Sequence, residues 1–425
     1  MSRVADGAVA RVAFRTLGCK VNQVESEAAA AALLGVGAEV VSEEDADLVV
    51  INTCTVTGEA DAKARKAVRH ALRLPREPLV VVTGCLASLD ADGLRSLGER
   101  VVVEPDKMAL ATRIAGLLGA AAPRASGTAG GVLRTRAMLK AEDGCDAFCT
   151  YCIVPYARGV PRATPVRELV AEAERLVAAG VAEIVLTGVN IGRYRDGDTD
   201  LAELVARLAA TGVRRLRISS IEPLDLDDRL LAVLASTASL QPHLHIPLQA
   251  GSDRVLAAMG RGYDTAAYAA RLAAVRSALP GVAVTTDVLA GFPTETAAEA
   301  AETLAFCTEM RFAKLHVFRY SARPGTPAAE MLPQVPAEER SHRAQALRLE
   351  GERLRTTYTE ARLGGHACVL VERLRNDAGT DAAEGTSGDY LKVRVPADGV
   401  AVGDVLDVRL KTAGDGVVLG ERLPR

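Results

Sequence analysis

Between Val12 and about Gly119, short apolar runs alternate with stretches of helical periodicity: V-A-F-R-T-L-G-C, a helix from about Gln23 to Leu34, L-V-V-I-N-T-C, a helix through Val68, then L-V-V-V-T-G-C. Strands that are almost continuously Val, Leu and Ile belong in a parallel sheet covered on both faces. The pattern therefore predicts a doubly wound α/β domain over residues 10–119, with ligands expected at the carboxyl ends of its strands. The small, polar run A-A-A-P-R-A-S-G-T-A-G-G at 120–131 reads as a linker.

Residues 132–360 return to alternating strands and helices. R-A-M-L-K-A-E-D is followed by five further strand candidates, A-E-I-V-L-T-G-V, R-R-L-R-I-S-S-I, H-L-H-I-P-L-Q, V-A-V-T-T-D-V-L-A-G and K-L-H-V-F-R-Y-S. Amphipathic patterns such as V-R-E-L-V-A-E-A-E-R-L-V-A-A-G lie between them. Six βα units fall two short of a closed eightfold barrel, so a partial (β/α)6 barrel is predicted, with its chemistry at the carboxyl ends of the strands. A long helix of mixed charge, from about Ala337 to Arg362, leads into H-A-C-V-L-V-E-R-L, D-Y-L-K-V-R-V, V-G-D-V-L-D-V-R-L and G-V-V-L-G-E-R-L. These alternating strands, broken at Gly/Asp turns, predict a small β-barrel over 361–425 of the kind that binds oligonucleotides.

Composition, at 49% apolar and 25% charged residues, is that of an ordinary globular protein. The formal net charge of -3 excludes a generally basic nucleic-acid binder, so any RNA surface must be local. One run qualifies: D-A-K-A-R-K-A-V-R-H-A-L-R-L-P-R carries Lys63, Arg65, Lys66, Arg69, Arg73 and Arg76 against Asp61. It reads either as a solvated helix face or as a phosphate contact. No apolar run approaches the ~18 residues of a membrane span, and the N-terminus lacks the apolar core of a secretory signal. A cytoplasmic protein with no membrane partner is expected, in a compartment that keeps thiols reduced.

The cysteines change the picture most. Cys145, Cys149 and Cys152 fall within eight residues, in G-C-D-A-F-C-T-Y-C-I-V-P. A structural zinc site wants four ligands, and no fourth cysteine follows until Cys307. Eight cysteines in 425 residues are too sparse for a disulfide scaffold. Three thiolates can instead hold three corners of an iron–sulfur cube and leave the fourth iron open to a small ligand. Cys19, Cys54 and Cys85 each stand just past the end of an N-terminal strand, so residues about 30 apart in sequence converge on one sheet edge and suggest a second three-cysteine cluster. Cys307 and Cys368 read as core residues. His243 and His245 alternate on one strand without a carboxylate or cysteine at ligand spacing.

The C-x3-C-x2-C spacing, with Tyr151 just before the last cysteine, resembles the signature of the radical S-adenosylmethionine (SAM) superfamily. There the open iron is chelated by SAM, and electron transfer from the cluster yields a 5′-deoxyadenosyl radical. T-L-G-C-K-V-N-Q, I-N-T-C, T-G-C, G-C-D-A-F-C-T-Y-C-I-V-P-Y-A-R-G, P-L-Q-A-G-S, G-F-P-T-E-T and Y-S-A-R-P-G-T-P-A resemble the methylthiotransferase family over Phe14 to Leu423. That family joins an N-terminal three-cysteine domain, a radical SAM barrel and a C-terminal β-barrel called TRAM. The resemblance implies a [4Fe-4S] cluster on each triad and SAM in two roles, methylating sulfur at the Cys19/Cys54/Cys85 cluster and supplying the radical at the Cys145/Cys149/Cys152 cluster. Radical chemistry suits an aromatic C–H, which offers no usable pKa for acid–base catalysis. Tyr151 and the strand-end residues Gly188, Asn190, Ser219, Glu222 and Gln249 are candidates to line the SAM pocket.

Within the family, T-L-G-C-K-V-N-Q and L-T-G-V-N-I-G resemble the branch that acts on N6-threonylcarbamoyladenosine at position 37 of tRNA. The expected activity is methylthio transfer to its C2. Branches acting on isopentenyladenosine or a ribosomal protein are the alternatives. A non-catalytic iron–sulfur protein that binds RNA and senses redox state is the rival from another class. The implied partners are the tRNA anticodon loop and an electron donor such as flavodoxin or ferredoxin. The threonyl carboxylate asks for a cation, for which Lys20 beside Cys19 is the candidate, with Lys63, Lys66 and Arg69 as candidate RNA contacts.

Overall fold

A computed structural model describes residues 9–119, 135–377 and 380–424; the expected linker at 120–131 lies outside the described residues. The described residues form two compact units. One takes those up to 133 together with Asp143–Arg162 and Ser321–Thr326; the other takes the remainder.

In the first unit, β1 (Arg11–Thr16), β2 (Glu39–Val40), β3 (Leu48–Thr53), β4 (Leu79–Gly84) and β5 (Val101–Val103) make one parallel sheet in the order β2-β1-β3-β4-β5. Val49, Ile51, Val80 and Val82 enter one apolar cluster with Ala64, Ala67 and Val68 of helix α2 (Gly58–Ala71). Leu48, Val50 and Val81 enter a second cluster with Ala29 and Leu33 of α1 (Lys20–Leu34) and Ile114 of α4 (Leu110–Leu117); the five-residue α3 (Cys85–Leu89) lies between α2 and α4 in sequence. Both faces are thus buried, at about 1.5–3 kcal/mol for each large apolar side chain, which is why these strands read as unbroken apolar runs. The first unit also holds α5 (Val154–Arg158).

In the second unit, β6 (Arg136–Lys140), β7 (Glu183–Thr187) and β8 (Arg215–Ile218) run parallel, as do β9 (His243–His245), β10 (Ala283–Ala290) and β11 (Lys314–Arg319). A parallel bridge between Ser220 and His245 joins the two triplets into the expected partial six-stranded barrel. The helix Ala337–Arg362 follows. The C-terminal barrel is closed by five strands, not the four read from sequence: β12 (His366–Asp377), β13 (Thr380–Ser387), β14 (Lys392–Pro396), β15 (Val405–Gly414) and β16 (Val417–Arg422), in the order β12-β13-β14-β16-β15. The missed strand, T-D-A-A-E-G-T-S, is, apart from its threonines, made mostly of poor strand formers. It is held by pairing on both sides, and a Cβ on its Gly385 would lie 2.2 Å from the Leu370 carbonyl oxygen.

The C-terminal barrel docks on the base of the partial barrel. Glu183, fully buried at the amino end of β7, accepts from Arg215 Nε and Arg217 Nε at 2.8 Å each. Arg215 reaches on to the Cys368 carbonyl at 2.9 Å, and Arg217 to the Gly388 and Ser387 carbonyls at 2.6 and 2.7 Å. Cys368 is accordingly half-buried against Arg215, not in the barrel core. His243 and His245 are tied through Thr285 Oγ1 at 3.0 and 2.8 Å, and His245 Nε2 lies 3.2 Å from Asp287.

Candidate functional site: two cysteine triads in one unit

The register of the first sheet places Thr16 beside Asn52, Asn52 beside Thr83 and Thr53 beside Gly84. The carboxyl ends of β1, β3 and β4 are therefore adjacent, and the residues that follow them include Cys19, Cys54 and Cys85. Cys19 is the N-cap of α1 and Cys85 opens α3. Gly18, at φ 108°, leaves no room for a side chain: its Cβ would sit 2.7 Å from Cys54 Cβ and 3.2 Å from Cys54 Sγ. The glycine of T-L-G-C thus brings the Cys54 side chain against the Cys19 turn.

Beneath these thiols is a polar lattice. Asn22 Nδ2 donates to the Leu17 carbonyl, Asn52 Oδ1 and the Thr53 carbonyl at 3.1, 2.9 and 2.9 Å, while its Oδ1 accepts from Cys19 Sγ at 3.2 Å. Asn52 Nδ2 returns a bond to the Asn22 carbonyl at 2.9 Å. Burial raises the Cys54 and Cys85 thiols above the ordinary cysteine range, and Arg158 and Lys107 pull Cys85 part of the way back. Metal binding would deprotonate such thiols.

Cys145, Cys149 and Cys152 lie in the same unit as this sheet edge. The two triads stand on separate stretches of the chain, as their order suggested, and both fall in one compact unit. Arg158, whose side chain is 2% exposed, makes ion pairs with Glu25 of α1 and with Asp143. The loop itself is tight: Cys145 N donates to the Gly159 carbonyl at 3.0 Å, Cys152 N to the Cys149 carbonyl at 2.9 Å, and Phe148 adopts φ 44°. Cys149 is buried, while Cys145, Cys152 and Tyr151 are half-buried. Phe148 and Tyr156 are exposed and meet edge-to-face at 5.7 Å. Among the described residues no three His, Cys, Asp or Glu side chains converge where one metal ion would sit. Three thiolates are what a cluster with one open iron asks for, one corner each, whereas a structural zinc ion asks for four ligands.

In the second unit, two of the strand-end candidates, Gly188 and Asn190, are held by a residue the sequence reading missed. The buried Glu142 carboxylate accepts from Val189 N at 2.9 Å and Asn190 N at 2.8 Å, and a Cβ on Gly188 would stand 3.0 Å from it. Ser219 is buried, and its hydroxyl has no hydrogen-bond partner among the described residues. Glu222 is ion-paired with Arg261, yet burial still pushes its carboxyl above the usual carboxylate range. Gln249 takes φ 71° and bridges to Val288.

The basic run is narrower than its sequence suggested. Helix α2 ends at Ala71, so Arg73 and Arg76 lie beyond it. Arg65 pairs with Asp90 and Arg76 with Asp47. Lys63, Lys66 and Arg69 remain exposed along one face with no ion pair among the described residues. Asp61, the acid in the run, is taken by Arg323, which also donates to Thr55 Oγ1, next to Cys54. Lys20 is half-buried at the first turn of α1.

The Radical SAM superfamily profile matches residues 142–307, and that of uncharacterized protein family UPF0004 matches residues 11–103. The fold is similar to that of the radical SAM methyltransferase TsrM from Kitasatospora setae, with a TM-score of 0.57 at 14% identity over 76% of this chain and 77% of that one. Fold and matched domains define a radical SAM enzyme. At the sequence level the chain is 37% identical to the threonylcarbamoyladenosine tRNA methylthiotransferase MtaB of Bacillus subtilis, over 96% of this chain and 95% of that protein. It is 35% identical to the protein of the same name from Thermotoga maritima, over 85% and 86%, and 35% to the tRNA-2-methylthio-N(6)-dimethylallyladenosine synthase of Erythrobacter litoralis, over 96% of each. The chain belongs to the radical SAM tRNA methylthiotransferase family. Its cofactors are SAM and [4Fe-4S] clusters, the second of which suits the UPF0004 domain. Among the described residues no helix is long and apolar enough to cross a membrane.

Proposed function

We propose that this chain transfers a methylthio group to C2 of N6-threonylcarbamoyladenosine at position 37 of tRNA. The observation that carries the reading is the 37% identity to the Bacillus subtilis enzyme of that name over nearly the whole of both chains; other enzymes of that name and the dimethylallyladenosine synthases alike stand at 34–35%. When bound, the clusters and SAM supply the electrons, the radical initiation and the methylated sulfur.

The chain's own residues bind and orient. Cys145, Cys149 and Cys152 hold one cluster on a loop whose backbone bonds pre-form it, and Cys19, Cys54 and Cys85 hold the other at the sheet edge. Tyr151, Gly188, Asn190, Ser219, Glu222 and Gln249 are assigned to the SAM pocket; Ser219 is the best supported, through a buried hydroxyl with no partner among the described residues. Lys20 sits where the dipole of α1 disfavours a cation, so a carboxylate partner such as the threonyl group would offset that cost. Lys63, Lys66 and Arg69 would take RNA phosphates, and a single-stranded anticodon loop lets the base splay out without opening a duplex. The chain would work in the cytoplasm, with flavodoxin or ferredoxin as reductant.

The deciding experiment offers the reconstituted enzyme tRNA bearing threonylcarbamoyladenosine, tRNA bearing isopentenyladenosine, and a ribosomal-protein substrate. Methylthiolation of the first is expected. Reaction with either of the others and none with the first would overturn the assignment. Failure to release 5′-deoxyadenosine from SAM under strong reductant would favour the non-catalytic sensor.

A further inference from the structure

One side chain closes both ends of the loop that carries Cys145, Cys149 and Cys152. Arg158, the last residue of α5, donates from Nη1 to Asp143 Oδ1 at 2.7 Å and to Glu25 Oε1 at 2.9 Å, and from Nη2 to Asn22 Oδ1 at 2.7 Å. Asp143 precedes the first of the three cysteines and Arg158 follows the last. Asn22 and Glu25 are one turn apart on α1, the helix capped by Cys19. The Asn22 oxygen that Arg158 engages also lies 3.2 Å from Cys19 Sγ, and Asn22 Nδ2 holds the Thr53 carbonyl, next to Cys54, at 2.9 Å. A single guanidinium thus links the ends of one triad's loop to the backbone beneath two cysteines of the other.

Stability alone is a poor reason for such an arrangement. Desolvating a buried arginine and two carboxylates offsets most of their attraction, and packed apolar side chains of the same volume often hold as well or better. What three directed bonds from one planar fork provide is a fixed register. A lysine, as a point charge on a flexible stem, could not reproduce it.

We propose that Arg158 is a positioning residue that sets the separation between the two triads, and with it the reach from hydrogen removal to sulfur delivery. The proposal rests on the assignment of both triads as cluster ligands. It leaves the chemistry of each cluster intact and acts on the distance between them.

Pulsed electron paramagnetic resonance of the holoenzyme with both clusters reduced reads their dipolar coupling, which depends on separation and not on turnover. The unaltered enzyme should give one well-defined coupling. Arg158→Gln should give a weaker or broadened one. In the same variant, methylthio product per 5′-deoxyadenosine should fall by up to about 100-fold, the scale set by misplacement of about 1 Å, while 5′-deoxyadenosine formation persists. Unchanged coupling in Arg158→Gln overturns the proposal, and so does full recovery with Arg158→Lys, because charge alone would then suffice. If Arg158→Gln loses iron, Glu25→Gln decides: it keeps the shape and removes one charge, so a broadened coupling supports the proposal and an unchanged one overturns it. Should the unaltered chain methylthiolate no tRNA, the functional assignment fails, while the coupling still answers for Arg158.

Discussion

Alanine at Gly144 tests how the loop of the second triad is built. Gly144 has φ 92°, and a Cβ there would lie 2.2 Å from the Val160 carbonyl oxygen and 2.7 Å from that of Gly159, distances that real Cβ atoms do not show. The substitution therefore carries two costs. A side chain in the left-handed region costs about 1–2 kcal/mol. Parting the backbone at 144 from that at 159–160 also stretches the 3.0 Å bond from Cys145 N to the Gly159 carbonyl, a further ~1 kcal/mol, or ~2 if the N–H is left buried and unpaired. Gly159 supplies the control: at φ 75° and ψ -163° its backbone is one that side chains avoid, at about 1–3 kcal/mol, but nothing lies within 4 Å of its virtual Cβ, so Gly159→Ala should carry a backbone cost with no clash. Hydrogen exchange at the Cys145 amide of the apoprotein reads local opening, with about 1.4 kcal/mol to each factor of ten. Gly144→Ala should speed it about 30- to 700-fold and Gly159→Ala less, by about 5- to 140-fold. Iron uptake at Cys145, Cys149 and Cys152, measured with the other three cysteines replaced by alanine, should fall in the same order. Equal acceleration in the two variants would refute the argument from close approach.

Three further outcomes are expected. Lys66→Ala with Arg69→Ala should reduce the magnitude of the slope of log tRNA affinity against log salt by about 0.7–0.9 for each phosphate no longer neutralised; an unchanged slope would make this face merely solvated. Arg323→Gln removes the 2.7 Å ion pair with Asp61, whose side chain is 20% exposed, and should cost about 2–4 kcal/mol in urea unfolding of the N-terminal unit, with Arg323→Lys in between; an unaltered unfolding free energy would show that Asp61 rehydrates freely. Burial pushes the Cys307 thiol up to about 12. Its folded-state value is thus raised, so its contribution to stability is present below the ordinary thiol range and is lost as the pH climbs from there towards about 12. Urea midpoints should fall over that alkaline window in the native protein and less steeply in Cys307→Ala, and iodoacetamide should reach Cys307 only on unfolding.

The fold was legible wherever burial imposes a local period. Val49, Ile51, Val80 and Val82 face one cluster while Leu48, Val50 and Val81 face the other, and an unbroken apolar run is what a doubly covered strand must look like. Strand β13 escaped because its Ala, Gly, Asp and Glu residues have no such period; it is specified by its neighbours on both sides and by the close approach at Gly385. The end of α2 escaped for a related reason. A basic run continues past Ala71, but Arg73 and Arg76 belong to the turn, and Arg76 is spoken for by Asp47.

The cysteines were legible because spacing along the chain, or position after a strand, is itself the signal. What organises them was not. Arg158, Glu142 and Arg323 act on partners far away in sequence, and in a linear reading an arginine or glutamate defaults to the surface, where most of them lie. Only the folded chain turns them inward, and each then does something no cysteine can. Glu142 ties the backbone amides of Val189 and Asn190, Arg323 secures the residue after Cys54, and Arg158 anchors the loop of one triad to the helix capped by Cys19 of the other. Ligand chemistry can be written into a dozen consecutive residues, whereas the distance between two ligand sets belongs to the tertiary fold. That is why the triads looked like separate domains in the sequence and lie in one compact unit in the structure.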